Sequence, residues 1–126
     1  MAARMLRSTR TTLMLAACAI AASAPAAEKE NWQAVNGAAL QSLFKDKEFA
    51  DGVHFAYQFK ADGTFTGTEM SKVVSGSWRV SKDEFCWNWL QPPGPHECYE
   101  VQHDGTHVRL LINGSEAWYG TLEPLR

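Results

Sequence analysis

Apolar positions change their period once along the chain. In "EKENWQAVNGAALQSLFKDKEF", residues 28–49, Leu40, Leu43 and Phe44 recur at spacings of three and four, the stripe of an amphipathic helix. The spacing predicts one short helix over about residues 37–45, with Asn36 as its N-cap, since a short polar side chain there can accept from free backbone N–H groups. A helix of this length has little stability alone and needs an apolar surface to lie on.

From residue 53 onward the period is two. In "VHFAYQF", Val53, Phe55, Tyr57 and Phe59 alternate with His54, Ala56 and Gln58, which predicts a strand with one buried face. Asp62-Gly63 marks a turn into "TFTGTEM", rich in aromatic and β-branched residues. "VVSGSWRV" then sets Val74, Gly76, Trp78 and Val80 on one side, and "SKDE" turns the chain again. "EFCWNWL" alternates Phe85, Trp87 and Trp89 with Cys86 and Asn88, and "ECYEVQH" answers it across the loop "QPPGP". After "HDG", "THVRLLI" presents Val108, Leu110 and Ile112, and Asn113-Gly114 is a hairpin signal before "SEAWYGTL". One leading helix and roughly seven short strands joined by turns predict a mainly β domain, an antiparallel meander. Closed, it is a small barrel or lipocalin-like cup; open, it is a curved sheet over the helix.

The cysteines suggest a register. If Cys86 and Cys98 face each other on adjacent antiparallel strands, Phe85 faces Tyr99 and Asp83 faces Val101. Phe85, Trp87, Trp89, Tyr99 and Val101 then share one face, and the sulfurs lie on the other with Asn88 and Glu100. A disulfide closing so short a loop would contribute about 3 kcal/mol through the unfolded chain.

The N-terminus changes where this chemistry takes place. "MAARMLRSTR" carries Arg4, Arg7 and Arg10, "TTLMLAACAIAASA" is small or apolar, and Ala24-Pro25-Ala26 is a small-x-small site. This three-part pattern predicts a secretory signal peptide over residues 1–26 and a single disulfide-bonded domain over 27–126. The expected location is periplasmic or secreted, with no transmembrane span in the mature chain. "LAAC" at 15–18 raises the alternative of a lipid anchor on Cys18, although the apolar run continues past that cysteine. Cleavage would leave 9 Lys+Arg against 14 Asp+Glu and carry the formal charge from −2 to −5. An acidic chain without a basic run argues against nucleic-acid partners. It would also remove Cys18 and leave Cys86 and Cys98 as an even pair, suited to a disulfide in an oxidising compartment.

Candidate chemistry is sparse. His96, His103 and His107 fall close together beside Glu97 and Asp104, but no zinc-type ligand spacing accompanies them, and they read as surface histidines near a turn. His54 falls on the polar face of its strand and reads as exposed. The serines of "VSGSW" and "NGSEAW" make no nucleophile elbow, and there is no phosphate loop or dinucleotide fingerprint. The expectation is a non-enzyme with no cofactor and no metal. The unusual resource is aromatic: Trp32, Trp78, Trp87, Trp89 and Trp118 all lie beyond the leader.

In order, "GAALQSLFKDKEF", "YQFKADGTFTG", "SGSWRV", "FCW", "CYEV" and a D-G hairpin resemble a group of small exported bacterial proteins classed as domains of unknown function. The resemblance implies export and a compact β-rich fold; it implies no activity and no site residue. The leading functional expectation is a monomeric, non-catalytic binding module for a small apolar or aromatic ligand, with Trp78, Trp87, Trp89 and Tyr99 as the ligand-binding residues. The second is a protein-interaction or inhibitor module, with an envelope protein as partner, that presents the stiff loop "QPPGPH" at 91–96. A small enzyme is the third.

Overall fold

A computed structural model describes residues 12–19 and 30–126. Residues 12–19 have no regular secondary structure and are exposed, Cys18 included; the arginine-rich start and the Ala24–Ala26 site of the expected leader lie outside the described residues. The remainder forms β1 (Gln33–Ala34), α1 (Gly37–Phe44), β2 (Lys47–Ala50), β3 (Phe55–Phe59), β4 (Thr64–Glu69), β5 (Lys72–Ser81), β6 (Glu84–Gln91), β7 (His96–Asp104), β8 (His107–Ile112) and β9 (Ser115–Pro124).

Strands β2 to β9 pair antiparallel in sequence order, and β2 also pairs with β9, so eight strands close into a barrel. β1 is an extra strand laid on β7, with Gln33 opposite His103 and Ala34 opposite Gln102. Seven of these nine strands, β3 to β9, follow the alternation of the sequence. The two missed ones matter more than their length: β2, "KEFA", pairs through Phe49 with Tyr57 on one side and Leu122 on the other and thereby closes the barrel. Its single buried residue leaves no period to read.

The helix spans the expected residues and buries Leu40 and Phe44; Asn36 occupies the N-cap without a side-chain hydrogen bond. α1 packs on β2, β5 and β6, where Phe44 stacks on Phe85 at 4.3 Å and meets Phe59 edge-on at 5.5 Å. It therefore stoppers one end of the barrel with a ring. The interior is a continuous set of aromatic contacts with no buried charged or polar residue among the described ones. Offset and edge-to-face pairs of this kind add to simple area burial.

The register of β6 and β7 is the one the cysteines suggest: Cys86 faces Cys98, Phe85 faces Tyr99, and the disulfide is formed. Three expectations are corrected. Asp83 does not face Val101, because β6 begins at Glu84 and the edge of β7 beyond it is taken by β1. Val53 is 82 % exposed rather than buried, because β3 begins only at Phe55. The preceding bend is held by Asp51, whose carboxylate accepts from the N–H groups of Val53, His54 and Phe55. Ile112, the last residue of β8, is 40 % exposed at the barrel rim.

Candidate functional site at the end away from the helix

In an antiparallel barrel of consecutive strands, alternate connections gather at opposite ends. The end opposite α1 therefore collects the links at 51–54, 70–71, 92–95 and 113–114. The stiffest is the proline loop. Its base is clamped by β6–β7 pairing up to Asn88 and His96 and by the disulfide two residues further in. Its tip folds back over the barrel, where the Gly94 N–H donates to the Trp89 carbonyl at 3.2 Å. A Cβ on Gly94 would stand 2.8 Å from the Trp89 Cβ, so the loop can approach the indole only with glycine there.

Between this loop and β9 lies a cleft of ≈ 240 Å³, walled by Trp89, Pro92, Pro93, Pro95 and Trp118. Trp87 forms part of its inner wall, and Glu69 and Glu97 stand at its margin. Trp89 and Trp118 each meet Trp87 nearly perpendicularly, at 5.2 and 5.3 Å between ring centroids. A polar chain fixes the acidic side: the Trp118 Nε1–H donates to Tyr99 Oη at 3.3 Å, and the Tyr99 hydroxyl donates to Glu97. Burial, then that bond to Glu97, pushes the Tyr99 phenol up to about 12. Burial, then the charge of Glu69, likewise holds the Tyr57 phenol far above its ordinary value. Two polar atoms here are buried without a hydrogen-bond partner, Trp87 Nε1 and Tyr57 Oη.

The structure divides the sequence's candidate ligand residues. Trp78 is buried near the helix, packed on Phe59 and Phe85, with its Nε1–H bonded to the Lys60 carbonyl at 2.9 Å. Tyr99 is buried with its ring against Trp87 and reaches the cleft only through its hydroxyl chain. Trp87 and Trp89 line the cleft, Trp89 half-buried and Trp87 1 % exposed. Trp118, Glu69 and Glu97 join them. Of these three, Trp118 alone has a period to read, since the alternation of β9 sets it on the side of buried Gly120 and Leu122 and opposite to Ala117 and Tyr119.

The histidines do not converge. His103 sits in a groove beside Leu43 at the helix end, His107 stacks on Tyr119 at 6.0 Å, and exposed His54 bonds Asp51 through Nδ1 at 2.7 Å. Against the opposing effect of desolvation, the three backbone N–H groups and this imidazole hold Asp51 well below the usual carboxylate range. Among the described residues, the group of three ligating side chains near one another is Cys86, His96 and Cys98, and its sulfurs are bonded to each other. The Arg79 guanidinium donates to His96 Nε2 at 3.0 Å beside them.

Among the described residues no helix is long and apolar enough to cross a membrane. No family model, curated protein or solved structure matches the chain.

Proposed function

We propose that this protein is an exported, non-catalytic binding module that takes a small apolar or aromatic group into the cleft between its proline loop and Trp118. The observation that carries the reading is that cleft, assembled from half-buried indole and exposed proline surface at one end of a barrel whose interior is filled by rings. A filled interior moves the ligand from inside the cup to its rim. At ≈ 240 Å³ the cleft is smaller than the pockets that enclose drug-sized molecules, so it suits a single ring or a short side chain. Loop and strand are pre-organised by proline and disulfide, which reduces the entropy lost on docking. Export is supported by the disulfide, which persists in oxidising compartments, together with the basic, apolar and small-residue succession of the leader.

A second reading, recognition of a protein partner by the same end, is favoured by one observation. Val53, Met70, Val73 and Leu90 are all exposed on or beside the connections that surround the cleft. Apolar residues grouped in this way mark contact surfaces more often than scattered ones do. Tryptophan fluorescence against a library of small aromatic and aliphatic compounds, with short peptides as a second set, tests both. Binding that weakens in Trp89→Leu and in Pro92→Ala/Pro93→Ala supports the cleft. Binding that survives both changes and is lost in Leu43→Ala, at the helix end, would contradict it.

A further inference from the structure

A cluster of reactive side chains lies outside the cleft, on the outer wall of the barrel around the disulfide. We infer, independently of the binding reading above, that Cys98 is a site of thiol–disulfide exchange, attacked by small thiols in the folded protein with Cys86 as the leaving sulfur. The two sulfurs are not equivalent. Cys86 lies on the middle strand of three, is 0 % exposed, and faces Arg79 of β5 on one side and Cys98 of β7 on the other. Cys98 is half-buried, and β7 pairs with β8 only from Glu100 onward, so no strand pairs with Cys98 on the side remote from Cys86. A thiolate attacks a disulfide sulfur in line with the bond that breaks. This bond runs from β6 to β7, so the open approach is to Cys98, from the side β8 leaves free. Approach to Cys86 would come from the β5 side, where Arg79 stands.

Arg79 is placed for the leaving group. Opposed residues of paired strands share a face, so its side chain lies on the same outer face as Cys86. From β5 the guanidinium crosses β6 and donates to His96 Nε2 on β7 at 3.0 Å. That nitrogen lies 3.7 Å from Cys98 Sγ and within 4.8 Å of both sulfurs. A cation is thus held beside the bond before any thiol arrives. Among the described residues Arg79 forms no ion pair, and the carboxylates of this face, Glu84 and Glu100, stand two residues along their strands from the cysteines, away from His96. A positive charge beside a cysteine favours its thiolate, and a stabilised thiolate leaves faster.

With a small dithiol as reductant, one of its thiolates bonds to Cys98 Sγ, the Cys86–Cys98 bond breaks, and the electron pair leaves on Cys86 Sγ. The second thiolate of the dithiol then attacks the dithiol's own sulfur in the mixed disulfide, closing a cyclic disulfide and releasing Cys98. Two electrons pass to the protein, and the dithiol's two protons end on the two cysteines. Opening the bond removes one of the two clamps at the base of the proline loop and leaves the strand pairing.

Reduction of the intact protein by dithiothreitol, quenched with acid and read by mass spectrometry, tests the step. The rate should rise in proportion to dithiothreitol and stay constant in urea well below the unfolding midpoint. Arg79→Gln, a change at an exposed position, should slow it by about threefold or more. Single-cysteine variants, their fold checked by circular dichroism, assign the sulfur. With oxidised glutathione, Cys86→Ser should form a mixed disulfide at Cys98 roughly tenfold faster, or more, than Cys98→Ser forms one at Cys86. A reduction rate that climbs in dilute urea places the reaction in the unfolded chain and overturns the inference. So does an Arg79→Gln rate equal to wild type, or equal reactivity of the two single-cysteine variants.

Discussion

Tyr57 Oη and Trp87 Nε1 are polar atoms set without partners in an interior of rings and aliphatic chains. Removing an unpaired buried hydroxyl removes its desolvation cost, so Tyr57→Phe should leave the urea midpoint unchanged or raise it, by up to about 1 kcal/mol in stability. Loss of a whole ring is a different matter, since truncating an aromatic core residue to alanine typically costs about 3–5 kcal/mol. The two raised phenols also set an alkaline limit. Tyr99 holds its proton to about 12, and Tyr57 holds its own well above the ordinary value. An unfolded tyrosine releases its proton near pH ~10. Above that pH the folded state binds more protons than the unfolded one, so stability is complete below pH ~10 and falls as pH rises through the folded values. Denaturant midpoints measured along an alkaline series should fall less steeply for Tyr57→Phe than for wild type. Gly76 supplies a steric test at the same scale. Its missing Cβ would lie 2.2 Å from the Asn88 carbonyl oxygen and 2.6 Å from the Phe65 ring. Gly76→Ala should therefore lower stability by about 1–3 kcal/mol, the usual cost of overpacking, in the same measurement.

Among the elements, the β6–β7 hairpin is the one the sequence specifies most completely. Alternation gave its inward rings, and the cysteines gave its register, because opposed sulfurs on adjacent strands leave only one pairing. Cys86→Ser/Cys98→Ser should cost about 3 kcal/mol by freeing a short loop in the unfolded chain. Since the loop base is also held by strand pairing, the fold should persist, with the Gly94 N–H, which bonds the Trp89 carbonyl, among the first amides to exchange. Equal stability of the double variant and wild type would remove the disulfide from the account. Less legible elements fail for physical reasons. β1 has two residues, both exposed, and β2 shows only Phe49 to the core. A period needs more repeats than either strand provides. Val53 kept the alternation of β3 in sequence while lying outside the strand, since Asp51 gathers the N–H groups that would otherwise extend it.

At the scale of the molecule, closure was the question sequence left open, and β2 answers it by pairing with both β3 and β9. A helix ring seals one end of the barrel and a proline loop half-covers the other. The site was legible only in part. Trp87, Trp89 and the prolines announce themselves in one dense stretch of chain. Glu69 and Trp118 join them only because β4 and β9 bring their ends to the same rim. Trp78, in the same alternating pattern, lies toward the helix instead, and no local signal separates it from Trp89. Three of the five tryptophans line the cleft and two lie away from it, so their indole N–H resonances report directly on where a ligand sits. Titrated with a small aromatic such as indole, the ¹⁵N-labelled protein should shift the resonances of Trp87, Trp89 and Trp118 and leave those of Trp32 and Trp78 in place. Movement of Trp78, or of none of the indoles, would contradict a ligand site at the rim.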